Sequence, residues 1–366
     1  MKKTFISASV ASVLALASFG ALAEGPSFYG RLELATTYTD TGATLQTGTN
    51  GLAASYADEN NAGTYLENNF SLLGVKGTEK IADGYDVVYQ MEFQVENTSG
   101  SGDVFKARNT FLGLKTNAGT VLVGRNDTVF KQAEGNVDVF GNTNADIDRL
   151  VSAQTRSADG VSYYSPKIAD LITLNATYLI DDNEAATSAE GKDSSNDYAL
   201  SLTLGDSKFK DQNYYLAVAY NKGIAGVDAY RGVAQVKFGD FKVGGLFQQS
   251  EDVVNSDKDG NTYFVNVVYT LNGVNLKAEY GFDDTGFGSY YKNVNTTGKD
   301  SAGKPIITQG TDISVQNFNV GADYRFSKST MVYGQYAMYR GDHVVAGNKV
   351  DLQDDNVFSV GVRYDF

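Results

Sequence analysis

Residues 85–96 read Tyr85-Asp86-Val87-Val88-Tyr89-Gln90-Met91-Glu92-Phe93-Gln94-Val95-Glu96. Tyr85, Val87, Tyr89, Met91, Phe93 and Val95 share one face of an extended chain, and Asp86, Val88, Gln90, Glu92, Gln94 and Glu96 share the other. Side chains alternate across a strand with period two, so this stretch is a strand apolar on one side and mostly polar on the other.

The pattern recurs along the chain. Alternation predicts sixteen strands, over 28–38, 64–76, 84–96, 105–115, 119–126, 160–165, 170–180, 197–204, 213–221, 229–238, 240–249, 261–271, 273–282, 314–326, 329–340 and 356–366. Short links such as Gly239-Asp240 and Asn272-Gly273 suit two-residue hairpins, because both accept positive φ. Long links at 39–63, 127–159, 181–196, 250–260, 283–313 and 341–355 are rich in Asp, Asn, Gly, Thr and Ser. An even strand count with short turns at one end and long loops at the other is the pattern of a transmembrane antiparallel β-barrel. Tyr38, Tyr85, Tyr178, Tyr198, Tyr220, Tyr269 and Tyr280 fall near strand ends on the apolar face, where amphipathic rings form girdles at the headgroup level. A soluble sandwich has no need of sixteen strands of membrane-spanning length.

Composition agrees. The 366 residues include 39 glycines, 3 prolines and 44 Tyr plus Phe, which fits strands and tight turns. With no cysteine there are no disulfides or thiolate chemistry, and one histidine excludes a multi-histidine zinc site, so no cofactor or metal is expected. The net charge of −14 argues against nucleic acid as a partner. Lys2 and Lys3, the apolar stretch Val10–Phe19 and Ala21-Leu22-Ala23 read as a cleaved secretory signal over 1–23, leaving one barrel domain over 24–366 with a charge of −16. A secretory signal without cysteine in the chain places the protein in the outer membrane or periplasm of a Gram-negative cell.

Several words in order resemble the general porins of Gram-negative outer membranes: Phe28-Tyr29-Gly30-Arg31, Leu73-Gly74-Val75-Lys76-Gly77, Arg108-Asn109-Thr110-Phe111-Leu112-Gly113-Leu114-Lys115, Gly124-Arg125-Asn126, Tyr163-Tyr164-Ser165-Pro166 and the terminal Tyr364-Asp365-Phe366. The resemblance implies a homotrimer of sixteen-stranded barrels in lipid and lipopolysaccharide, a third loop folded into the lumen, and a terminal Phe366 read by the barrel-insertion machinery. It also implies a pore-lining basic cluster at Arg31, Arg108 and Arg125. Where the best-known members carry an inward arginine before Leu73-Gly74, this chain has Leu72, which weakens that basic wall.

A sixteen-stranded barrel is too wide for side chains to fill, so its inner face meets water. Strict alternation puts Tyr29, Arg31 and Glu33 inside against Phe28, Gly30, Leu32 and Leu34 outside. It likewise sets Arg108 inside against Asn109, Phe111 and Gly113. The third loop, 127–159, carries Glu134, Asp138, Asp146 and Asp148 with Lys131, Arg149 and Arg156. Bent into the lumen, its carboxylates would oppose the arginines, and the balance would set ion preference; Asp138 is the first choice to face the pore, with Asp146 and Asp148 next. The acidic excess predicts a passive diffusion channel for ions and small hydrophilic solutes with weak cation selectivity. A sugar-selective channel would need an aromatic strip in the lumen, where alternation leaves Tyr29 and Tyr215, and an adhesin on long loops would not need an open lumen. Asn255–Gly260 imitates a calcium loop but has Asn266 where a bidentate Glu is required. His343, beside Asp342, reads as an exposed loop histidine rather than the base of a hydrolase.

Overall fold

The computed structural model describes residues 25–46, 61–96, 103–180, 196–299, 305–308 and 310–366; the expected signal segment, 1–23, lies outside them. The strands are β1 (Ser27–Thr39), β2 in two pieces (Gly63–Asn68 and Leu72–Ala82), β3 (Tyr85–Val95), β4 (Phe105–Thr116), β5 (Gly119–Asp127), β6 (Arg156–Tyr164), β7 (Ile172–Leu179) and β8 (Tyr198–Gly205). The second half comprises β9 (Tyr214–Lys222), β10 (Val227–Phe238), β11 (Phe241–Asp252), β12 (Asp259–Leu271), β13 (Val274–Asp283), β14 (Thr311–Arg325), β15 (Thr330–Val345) and β16 (Asp355–Asp365). Each pairs antiparallel with the next, and β16 returns to β1 with Arg31 opposite Asp365 and Leu34 opposite Val362. The result is a closed antiparallel barrel of sixteen strands. No described helix is long and apolar enough to cross a membrane.

The closing seam is bonded at its very end. Gly30 N–H donates to the Phe366 carbonyl at 2.9 Å, and Phe366 N–H donates to the Gly30 carbonyl at 3.0 Å. Arg31 Nε donates to Asp365 Oδ1 at 2.9 Å across the same seam.

The outer surface is apolar as alternation predicts. Val265, Phe358, Val360 and Val362 are exposed, whereas their neighbours Asn266 and Ser359 are buried. Aromatic rings band the short-turn rim, where Phe238, Phe241 and Tyr269 stack in sequence at 5.7 and 4.6 Å, and the long-loop rim, where Tyr220 meets Tyr230 at 4.8 Å.

Three local departures from strict alternation carry consequences. First, β2 is interrupted at Asn69-Phe70-Ser71, where a continuous strand was expected. Asn68 Oδ1 accepts from Ser71 N–H at 3.0 Å and Ser71 Oγ accepts from Glu33 N–H at 3.0 Å, so the break is bonded back to β1. Second, a bulge in β4 sets Met91 opposite Thr110 but Phe93 opposite Ala107. The extra residue turns both Arg108 and Asn109 inward and inverts the strand beyond them. Leu112 and Leu114 face lipid, while Gly113 pairs with buried Leu122, so the expectation that Asn109, Phe111 and Gly113 face outward is corrected. Third, β15 continues to Val345 and pairs with a short strand, Asn348–Asp351, where a loop was expected. His343 is therefore buried, not exposed, with Nδ1 2.9 Å from the Tyr291 hydroxyl.

The face assignment has a direct test. Val362→Lys places a charge against hydrocarbon at a cost of ~2–4 kcal/mol near the midplane, whereas Gln94→Lys places one in the lumen. The folded fraction after refolding into detergent, read by heat-modifiable gel migration, is expected to fall for Val362→Lys and to match the parent for Gln94→Lys.

Candidate constriction of the lumen

The segment between β5 and β6 enters the barrel and lies along its inner wall. Thr128 caps a short helix, α1 (Val129–Gln132), by accepting from Lys131 N–H at 3.2 Å, and Val129 N–H donates to Thr177 Oγ on β7 at 3.1 Å. Val129, Phe130, Val137, Phe140, Ile147 and Leu150 are buried and form much of an apolar core inside the lumen. Buried backbone carbonyls need donors, and successive wall strands supply them. Tyr215 on β9 donates to Ala133 O at 3.1 Å, Asn266 on β12 to Val137 O at 2.6 Å, and Lys277 on β13 to Val139 O at 2.8 Å. Asn319 on β14 donates to Ala145 O at 3.0 Å and Tyr339 on β15 to Asn144 O at 2.8 Å. The wall also makes room: a Cβ at Gly321 would lie 2.9 Å from the Phe140 ring, and one at Gly244 would lie 3.2 Å from Val137.

Arg231, inward on β10, holds both limbs of this loop. It is buried; Nη1 donates to Phe130 O at 3.2 Å on the entering limb and to Gln154 Oε1 at 2.9 Å on the leaving one. Nη2 reaches Ser152 O at 3.4 Å, Nε and Nη2 share Gln248 Oε1, and the guanidinium lies 4.2 Å above the Phe130 ring. Sequence reasoning did not name Arg231, although its place between the small apolar Ala229 and Val233 on the inward face was a usable signal.

Because the loop is seated on the β7–β15 wall, the free passage lies against β1–β6. A space of about 530 Å³ remains there, bordered on the barrel side by Arg31, Phe70, Gln94, Arg108 and Arg156 and on the loop side by Glu134, Asp138, Asp146 and Asp148 together with Lys131 and Arg149. Of the sequence candidates, Arg31, Arg108 and all four loop acids meet at this space. Arg125 does not: it stands in phase with the exposed Val121 and Val123 on β5, on the face that alternation turns away from the lumen. Phe70, missed in the sequence, stands between two guanidiniums, with Arg108 at 4.2 Å and Arg31 at 5.2 Å from its ring centre. The polar Asn68-Asn69 pair inside an alternating strand was the available sign of that break.

The two sides differ in charge balance. Each wall arginine at this space has a carboxylate partner: Arg31 has Asp365 at 2.9 Å, which Arg325 and Arg363 share, Arg108 has Glu92 at 2.6 Å and Arg156 has Asp127 at 2.9 Å. Among the described residues, no lysine or arginine lies within 4.0 Å of the Glu134, Asp138 or Asp146 carboxylates. Partial loss of hydration in the narrow passage raises the Asp138 carboxyl well above the usual range, and neighbouring Asp146 adds to the rise. The same causes, in the same order, push Asp148 up to about 7.

A family profile for Gram-negative porins matches residues 8–344. The chain belongs to the Gram-negative porin family. It is an outer-membrane protein that forms a channel for passive diffusion. This porin is 25% identical over 324 residues to major outer membrane protein P.IA of Neisseria meningitidis, covering 81% of each chain. It is 23% identical to outer membrane porin C of Salmonella typhimurium, over 80% of this chain and 85% of that one. Its fold matches an anion-selective porin from Comamonas acidovorans with a TM-score of 0.69 at 18% identity, over 93% of this chain and 99% of the other. Salmonella typhi OmpF in complex with daunomycin matches at 0.60 and 14% identity, over 94% and 98%.

The clasp at Arg231 yields an expectation. Arg231→Leu removes the donor to Phe130 O, leaving that carbonyl buried without it at about 1–3 kcal/mol, and removes one of the two donors to Ser152 O, which keeps Gln248 Nε2 at 3.2 Å. Barrel folding is expected to persist, while single-channel recordings show raised open-channel noise and larger conductance. Wild-type traces from the variant would mean that the loop is held by its other bonds alone.

Proposed function

We propose that this porin is a weakly cation-selective diffusion channel for ions and small hydrophilic solutes, working as a homotrimer. The observation that carries the reading is a difference in pairing at the passage: the wall arginines are held against Asp365, Glu92 and Asp127, whereas the loop carboxylates of Glu134, Asp138 and Asp146 have no cation within 4.0 Å among the described residues. A low-dielectric passage focuses the field of such an excess and raises the local cation concentration. In this reading Arg31 and Arg108 shape the wall, Glu134, Asp138, Asp146 and Asp148 set the sign, and Arg125 has no direct part. The likeness to the Comamonas protein, titled anion-selective, extends at 18% identity to the fold alone.

For assembly, the support is that a Vibrio cholerae OmpT with the same fold is described in a trimer form, with a TM-score of 0.60. Phe366 is exposed at the rim of the closing strand, where insertion machinery could engage it. A sugar-selective channel is less well supported. Among the described residues bordering the passage Phe70 is the sole aromatic, and Tyr215 is buried with its hydroxyl bonded to the loop.

Reversal potentials in KCl gradients test the sign. The K⁺/Cl⁻ permeability ratio is expected to exceed one at low salt. It should shrink as the Debye length falls from ~10 Å at 0.1 M to ~3 Å at 1 M. Replacing Asp138, Asp146 and Asp148 by Asn should lower the ratio roughly twofold. Replacing Asp351 and Asp354 in the last long loop should change it less; Asp355 is buried and bonded to Thr39 and is no surface control. An anion-selective sign in the parent would overturn the reading.

Acidity gives a second check. The Asp148 carboxyl is raised to about 7, so it takes up its proton as pH falls through that range and loses negative charge; the Asp138 carboxyl is shifted in the same direction. Cation preference is therefore expected to decline between pH 8 and pH 5, and a ratio that rises on acidification would contradict it.

A further inference from the structure

Beneath the acidic passage, toward the short-turn rim, lies a second space of opposite character. Its volume is about 220 Å³, and Lys208, Lys242 and Lys277 border it together with Phe209, Val139 and Val268. Lys277 is occupied: its ammonium contacts Asp323 at 2.5 Å and Val139 O at 2.8 Å. Lys242 and Lys208 form no ion pair among the described residues. Lys237 sits opposite Lys242 in the β10–β11 ladder and so shares its inward face. Cations thus exceed carboxylates here, and Asp323, the one acid among the described residues bordering the space, is already paired with Lys277.

The turn that supplies Lys208 and Phe209 is built to reach inward. Asp206 gathers the N–H groups of Lys208, Lys210 and Asp211 at 2.8, 2.7 and 3.1 Å. Asn136 of the constriction loop donates from Nδ2 to Ser207 O at 2.6 Å, so turn and loop are joined. Phe209 adopts φ of +53°, a conformation that costs an aromatic residue energy and persists only where surrounding bonds impose it. The outcome is a ring and an ammonium held over the mouth of a basic recess.

We propose that this recess is a binding site for small organic dianions carrying an apolar substituent, with phosphate monoesters as the representative class. Lys242, Lys208 and Lys237 provide the charge that a dianion requires, and charge-assisted hydrogen bonds of this kind are among the stronger polar contacts. Phe209, Val139 and Val268 offer the apolar side. The ligand enters from the short-turn, periplasmic rim, because the carboxylates of the passage above repel it from the other direction. The inference is separate from the cation preference proposed above: it concerns a different set of residues at a different depth.

Planar-bilayer recording with phenyl phosphate as the probe tests it. Added on the short-turn side, phenyl phosphate is expected to reduce KCl current in a saturable way, more effectively than inorganic phosphate and more effectively than from the long-loop side. Lys242→Gln should raise the half-blocking concentration about tenfold, the loss of one good charged contact. Phe209→Ala should bring phenyl phosphate down to the potency of inorganic phosphate, whereas Lys328→Gln, on another short turn, should leave block unchanged. Reversal potentials measured in the same membranes report the ion preference independently, so failure of one reading is distinguishable from failure of the other. Block equal in the parent and Lys242→Gln, or no block at all, would overturn the site.

Discussion

Hydrocarbon offers no partner to a backbone N–H or C=O, so a strand that enters a bilayer must find every bond in another strand. Here the requirement is met by the pairing of β16 with β1, which ends with the reciprocal bonds between Gly30 and Phe366. The rest follows from that closure. A sixteen-stranded ring cannot be filled by its own side chains. Its outer face must be apolar, and its inner face is left polar and wet. Alternation along each strand serves both at once, which is why a pattern as simple as residues 85–96 repeats around the molecule.

The wide ring creates a second problem, which the segment between β5 and β6 solves. A chain lying inside the lumen has backbone groups to satisfy and apolar side chains to hide. The wall answers with a series of donors, from Tyr215 on β9 to Tyr339 on β15, and with glycines at 244 and 321 that admit Val137 and Phe140. The loop is consequently two-sided: its apolar residues face the wall and its carboxylates face the passage. From the long-loop end, Tyr290 stacks on Tyr339 at 5.0 Å, and Asn144 donates to Thr44 O at 3.0 Å, tying further loops to its outer edge. The aperture is thereby a property of wall and loop together.

Much of this was legible from residue order, because period-two hydrophobicity survives without knowledge of neighbours. The faces of β1, β3, β12 and β16 follow directly from it. What was not legible lies where one extra residue changes the count. The β4 bulge reversed the faces of Asn109, Phe111 and Gly113; Arg125 failed for a different reason, since the family resemblance placed it in the pore against its own alternation with Val121 and Val123. Nothing local announces a bulge, since it depends on the partner strand. Phe70 and Arg231 were missed for another reason: each acts through contacts with residues distant in sequence. The burial of His343 likewise depends on Tyr291, which comes from a different loop.

The central claim is that this loop lies in the lumen with Asp138 toward water and Phe140 toward the wall. The chain contains no cysteine, so single cysteines can be placed without background. In open channels, Asp138→Cys treated with a small cationic methanethiosulfonate reagent should react rapidly, with stepwise changes in current. Phe140→Cys in the same assay should remain unmodified while the barrel stays folded. Modification at position 138 that leaves current unchanged, or equal reactivity at the two positions, would contradict the account.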